Sequence, residues 1–188
     1  LDNMISKIPE NTLFVLDEAY ADYSDALDFP DSMKLLEKYP NLMILRTFSK
    51  IYGLAALRVG YGIAREEVIY DILSTKQPFN VNTPAQIGAT AAIQDTDFYQ
   101  KSRIMNSTGK RYLYDELDRL ELAYYPTQAN FICINVEQDS IALFQKMMDK
   151  GVTIRPLSSF GLDRWIRVTV GSEKDNKLFI RILENTLI

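Results

Sequence analysis

Short apolar runs that end in polar clusters alternate with amphipathic stretches over the first hundred residues. Residues 12–16 are apolar with a β-branched member and run into Asp17-Glu18, the pattern of a buried strand with acidic groups at its carboxyl end. Residues 42–45 repeat it and run into Arg46-Thr47-Phe48-Ser49-Lys50. Between them, residues 31–38 have helical spacing that Pro40-Asn41 terminates. A glycine-interrupted stretch from Gly53 to Gly62 follows, with a third strand expected over residues 58–64. Helical spacing returns over residues 66–75, 84–94 and 97–120. Buried strands separated by a helix predict an α/β unit with a mainly parallel sheet. Such sheets hold ligands beyond the carboxyl ends of their strands, where residues 17–20 and 47–50 both fall.

The pattern changes after Tyr125-Pro126. Strands are expected over residues 130–136, 152–155 and 165–170, with a helix over 140–150 that Gly151 caps. Ser172, with Asp175 three residues on, opens a last helix. This order predicts a small α+β domain with a largely antiparallel sheet. The boundary is placed inside the long helix, giving domains 1–100 and 101–188.

Composition narrows the chemistry. The 188 residues are 47% hydrophobic and 24% charged, ordinary globular values. A net charge of −4 argues against a nucleic-acid face, and no apolar run approaches a membrane span. There is no histidine, which excludes Ser-His-Asp and Cys-His triads within the chain and removes the commonest zinc ligand; no metal site is expected. The one cysteine, Cys133, lies in an apolar run and reads as a structural thiol; the lack of a disulfide framework suits a reducing cytoplasm. Acid–base work therefore falls to Lys, Tyr or carboxylates.

Taken singly, Lys50 is an ordinary surface charge, Asp17-Glu18 a cap or salt-bridge partner, and the glycines around Arg58 are turns. Their order says more. The string from Arg46 to Tyr61, with hydroxyls before Lys50, Gly53-Leu54-Ala55 after it and then Leu57-Arg58-Val59-Gly60-Tyr61, resembles the cofactor-lysine segment of fold type I aminotransferases. Asp17-Glu18-Ala19-Tyr20, thirty-three residues before Lys50, is similar to the segment that precedes it in that family. The resemblance implies the carboxyl-terminal part of the family's large domain followed by its small domain. It also implies pyridoxal 5'-phosphate as cofactor, borne by Lys50, which then moves the substrate proton. Asp17 would pair with the pyridine nitrogen and keep it protonated, so that the ring is an effective electron sink. Tyr20 would donate to the phenolate oxygen. Ser49 and Arg58 would hold the phosphate, with Thr47 a weaker candidate. Ala56 departs from the glycine found in many relatives.

Three stretches resemble the histidinol-phosphate branch of the family: residues 17–24, residues 77–86, and Ile166-Arg167-Val168-Thr169-Val170-Gly171. That implies transamination between histidinol phosphate and 2-oxoglutarate in histidine biosynthesis. Arg167 would grip the substrate's carboxylate or phosphate, and Arg155 either adds a second positive charge or is a surface strand residue. The resemblance also implies a homodimer. It covers about the second half of a usual member, so the isolated chain is expected to bind the cofactor weakly and to lack useful turnover. A threonine-phosphate decarboxylase, another amino-acid aminotransferase, and the cofactor-sensing domain of a transcription regulator are the other readings left open.

Overall fold

The computed structural model describes residues 1–187, which divide into two compact units, one of residues 1–100 and one from Lys101 onward. In the first unit a short helix, α1 (Asp2–Ile5), precedes β1 (Phe14–Asp17), α2 (Ser32–Lys38) and β2 (Leu42–Thr47). Asp31 caps α2 by accepting from the Lys34 amide. β1 and β2 are parallel, in register from Phe14–Leu42 to Asp17–Leu45. Leu42 and Ile44, both fully buried, pack with Ile5 against Phe14, Leu16, Leu35 and Leu36, so the apolar runs and the α2 stripe share one core.

β3 (Gly60–Ile63) runs antiparallel to β2, with Thr47 opposite Gly60, beside the parallel β1–β2 pair expected from the two apolar runs. The reason is the connection. Residues 48–59 hold only tight turns and no crossover helix, so the chain reverses onto its neighbour. The strand order is β1-β2-β3, which leaves β1 at an edge with Leu13 and Val15 exposed. Helices α3 (Glu66–Thr75) and α4 (Thr83–Gln94) follow. Ala85 and Ala89 of α4 pack on Phe48 and Val59, and a Cβ on Gly88 would stand 2.8 Å from Leu57 Cδ1. Small residues thus let α4 seat closely under the segment after β2. Asn82 fixes its start, accepting from the Ala85 amide and donating to the Leu57 carbonyl.

Helix α5 (Thr96–Arg119) continues into the second unit, where β4 (Tyr124–Tyr125), β5 (Phe131–Asn135), α6 (Ser140–Asp149), β6 (Arg155–Leu157), β7 (Leu162–Thr169) and α7 (Glu173–Leu187) follow. The sheet is antiparallel throughout, in the order β4-β5-β7-β6. One face buries Ile132, Ile134, Ile166 and Val168 against Leu113 and Leu117 of α5, Leu143 and Met147 of α6, and Phe179, Ile180 and Leu183 of α7. Gly151, at φ +83°, ends α6 as expected, and Val152 N–H donates to the Met147 carbonyl. That cap occupies residues expected to be strand, so β6 begins only at Arg155. Ser172 and Asp175 form the start of α7, the Asp175 amide donating to Ser172 Oγ and the hydroxyl to Asp175 Oδ2.

Candidate active site

The parallel pairing of β1 with β2 brings residues 17–20 and 47–50 to one sheet edge. The Asp17 carboxylate is exposed and accepts from the Ala19 amide at 3.0 Å, a local turn that holds it at the strand end. After β2 the chain folds tightly: Thr47 Oγ1 accepts from Ser49 N–H at 3.0 Å, Gly53 N–H donates to the Lys50 carbonyl, and Leu54 N–H donates to the Phe48 carbonyl. Phe48 and Ile51 are buried, so the turn is anchored on either side of Lys50 while Lys50 itself stays half-buried. Gly53 sits at φ +70°, which glycine adopts without steric cost. Lys50 Nζ lies 4.8 Å from the centre of the Tyr20 ring, and it has no carboxylate partner among the described residues.

Arg58, exposed and in the left-handed region at φ 55°, ends a 3-10 turn, Ala55–Leu57, and donates to the Ala55 carbonyl at 2.9 Å. Ala56 within that turn is exposed, so a methyl group there meets no packing constraint. Thr47, Ser49, Arg58, Gly60 and Tyr61 line an open hollow of about 350 Å³. Hydroxyls, a guanidinium and close backbone make a donor set suited to a phosphate. Thr47 Oγ1 accepts the Ser49 amide and so braces the turn, while its own O–H, like that of Ser49, can still donate to an anion in the hollow. A larger hollow of about 780 Å³ along the start of α7 holds none of these groups.

Two pairings have partners that the sequence did not name, although Glu18 read as a possible salt-bridge partner. Arg46 donates through Nε and Nη2 to Glu18 Oε2 at 3.0 and 2.9 Å, with the Glu18 side chain 5% exposed. Burial works against the Arg46 charge, but the Glu18 carboxylate and the Tyr61 side chain together outweigh it and the guanidinium is held above its ordinary range. Asp22 accepts from the Tyr99 hydroxyl at 3.0 Å, and the Tyr99 ring lies 5.7 Å from Tyr52, which also meets Phe48 at 5.0 Å. Burial first, and then the Asp22 charge, push the Tyr52 phenol up. Strand alternation was the available sign for Arg46; nothing local announces a pair seventy-seven residues apart such as Asp22 and Tyr99.

The profile of aminotransferase class I and II matches residues 1–183. The chain belongs to that family. Among aminotransferases, the histidinol-phosphate aminotransferase of Moorella thermoacetica is 47% identical over 188 residues, all of this chain and 49% of the relative. A crystal structure of a putative histidinol-phosphate aminotransferase from Erwinia carotovora atroseptica superposes with a TM-score of 0.91 at 27% identity, covering 100% of this chain and 56% of the other. That of the Sinorhizobium meliloti enzyme, in complex with pyridoxal-5'-phosphate, gives 0.89 at 26% identity, with 99% and 51% covered. The chain thus spans about half the length of the curated aminotransferases it matches.

In the second unit Arg155 and Arg167 stand directly opposite one another on β6 and β7. Register partners in an antiparallel pair project to the same face, here the one opposite the packed core. The Arg167 guanidinium lies 4.8 Å from the Phe131 ring centre, and that of Arg155 lies 5.3 Å from Phe160. Neither has a carboxylate partner among the described residues. Cys133, the other register partner of Arg167, is half-buried, and burial raises its thiol above the ordinary range. No metal-binding cluster of His, Cys, Asp or Glu and no helix long and apolar enough to cross a membrane occurs among the described residues.

Proposed function

We propose that the chain serves a pyridoxal-phosphate-dependent aminotransferase that exchanges an amino group between histidinol phosphate and 2-oxoglutarate, in histidine biosynthesis. The observation that carries this reading is the pairing of β1 and β2, which sets the Asp17 carboxylate beside the turn that presents Lys50. The residues fit the cofactor by their chemistry: an amine, a carboxylate, a phenol, and a hollow lined by Ser49 and Arg58. When bound, pyridoxal phosphate supplies an electron sink that stabilises negative charge at the substrate α-carbon.

The chain's own groups do the rest. Lys50 bears the cofactor and, as a free amine, takes and returns the α-carbon proton. The Asp17 carboxylate keeps a proton on the pyridine nitrogen, while Tyr20 donates to the phenolate oxygen. Ser49 and Arg58 hold the phosphate, with Thr47 shaping the turn. Arg155 and Arg167 receive the acidic group of either substrate. Two unpaired guanidiniums in register repel, and an arriving carboxylate or phosphate relieves that repulsion. This accounts for one site taking both an α-carboxylate and a phosphate ester. A homodimer in the cytoplasm is the setting proposed for the whole enzyme.

The test is direct. The chain is incubated with pyridoxal phosphate, reduced with borohydride, and mapped by mass. A single adduct on Lys50 supports the site and shows that this half alone retains it. No adduct, or scattered labelling, means that the isolated chain is not a pyridoxal protein and leaves the assignment to the longer parent, where an adduct on another lysine sinks the site. Product analysis in the full-length enzyme separates transamination, which yields glutamate, from decarboxylation of a phosphorylated amino acid.

A further inference from the structure

Arg46 and Glu18 form the one ion pair among those described in which a carboxylate is buried. Glu18 lies outside the cofactor set, whereas Arg46 itself lines the hollow assigned to the phosphate, beside Thr47 and Ser49. Glu18 follows Asp17 directly, and its amide donates to the Leu45 carbonyl at 2.9 Å. Arg46 lies four residues before Lys50 and pairs with Tyr61 in the β2–β3 ladder, three residues after Arg58. Both of its bonds converge on a single carboxylate oxygen. A buried carboxylate held in this way has little freedom to rotate, and two charge-assisted bonds define both distance and direction. A clasp joining the ends of neighbouring strands is placed to fix what those ends carry.

We propose that Arg46 is a positioning residue: by clasping Glu18, it fixes the Asp17 strand end against the turn that carries Lys50. This rests on the cofactor reading of the same site. The alternative is an ion pair that contributes to folding alone, and the two roles come apart in an apolar replacement. Exchanging both members of a buried pair for hydrophobic residues of similar volume is often neutral for stability, because no charge is left unpaired. Such a pair retains packing but loses the directional bonds.

The experiment compares wild-type chain with Glu18→Leu/Arg46→Met, and with Arg46→Lys, which keeps the charge and loses the fork. Three properties are read: thermal melting, pyridoxal-phosphate affinity from the absorbance of the bound cofactor, and hydrogen exchange at the Ala19 amide, which reports the Asp17 turn. The double variant is expected to melt like wild type, bind the cofactor about tenfold more weakly and exchange Ala19 about tenfold faster. Wild-type Ala19 exchange in a folded double variant would overturn the proposal, and weaker binding without faster exchange would overturn it too, assigning Arg46 to direct contact with the phosphate. Should the double variant not fold, Arg46→Lys decides by the same Ala19 exchange, with an unchanged value again overturning it. If wild type itself forms no adduct on Lys50, the cofactor reading is decided separately, in the longer parent. Ala19 exchange in the cofactor-free chain then decides the clasp: acceleration supports it and no change overturns it.

Discussion

The Lys50 ammonium lies 4.8 Å from the centre of the Tyr20 ring, so the residue that bears the cofactor in our reading rests on the one that would touch its phenolate oxygen. The attraction between a cation and a ring of this kind is worth about 0.5–1 kcal/mol at an exposed site. Fixing the cofactor on Lys50 gives up this contact, so Tyr20→Leu is expected to bind pyridoxal phosphate about threefold more tightly than Tyr20→Phe, which keeps the ring. Equal affinities in a fluorescence titration would remove the ring from the account.

Lys50→Arg retains the positive charge and removes the primary amine. Since Lys50 has no ion pair to lose, melting should change by less than about 0.5 kcal/mol. The borohydride-fixed adduct should vanish. A variant labelled as heavily as wild type shows that another lysine carries the cofactor.

Arg155 and Arg167 face one another without a counter-ion, so an added anion should stabilise the fold through them. Inorganic phosphate is expected to raise the melting temperature of wild type and to have less effect on Arg167→Met. In the full-length enzyme the same substitution should raise KM about tenfold or more with a smaller effect on kcat, because the grip is made in ground and transition state alike. A loss confined to kcat would place Arg167 elsewhere in the reaction.

Cys133 has a pKa raised by burial, with Arg167 pulling the other way. A thiol whose folded pKa exceeds its unfolded value favours the native state below the unfolded pKa, near 9.0. That contribution is lost as pH rises through the higher folded value. Alkylation at pH 8 should accordingly be slower than in the unfolded chain, and slower still in Arg167→Met. Rates equal to those of the unfolded chain would show an accessible thiol of ordinary acidity.

A Cβ on Gly60 would stand 2.7 Å from the Arg46 carbonyl, a contact the backbone cannot relieve by rotating a side chain. Gly60→Ala should cost about 1–3 kcal/mol and loosen the β2–β3 ladder beneath the phosphate hollow. Wild-type melting in this variant would mean that β3 can shift without penalty.

Much of this arrangement was legible in the chain, for physical reasons that differ by element. The bounds of α2 and α7 follow from local chemistry: Asp31 and Ser172 satisfy amides three residues away, and such bonds are written in short spacing. β2 runs two residues past its apolar run because Thr47 finds Gly60 as a partner, which no local pattern encodes. β6 starts late for the opposite reason, since the Gly151 cap uses the chain before it. At the site, the order of Asp17, Lys50 and Arg58 was visible through resemblance. The Glu18–Arg46 clasp and the facing of Arg155 on Arg167 were not, because both are matters of register between strands.

β1 carries a further consequence for anyone handling the chain. Its outer edge has no strand beside it among the described residues, and it offers unpaired backbone donors and acceptors flanked by exposed Leu13 and Val15. An open apolar edge is a template for stray pairing between molecules of this chain. A lysine at position 15 would act as a gatekeeper there, opposing edge-to-edge stacking without touching Lys50 or its neighbours.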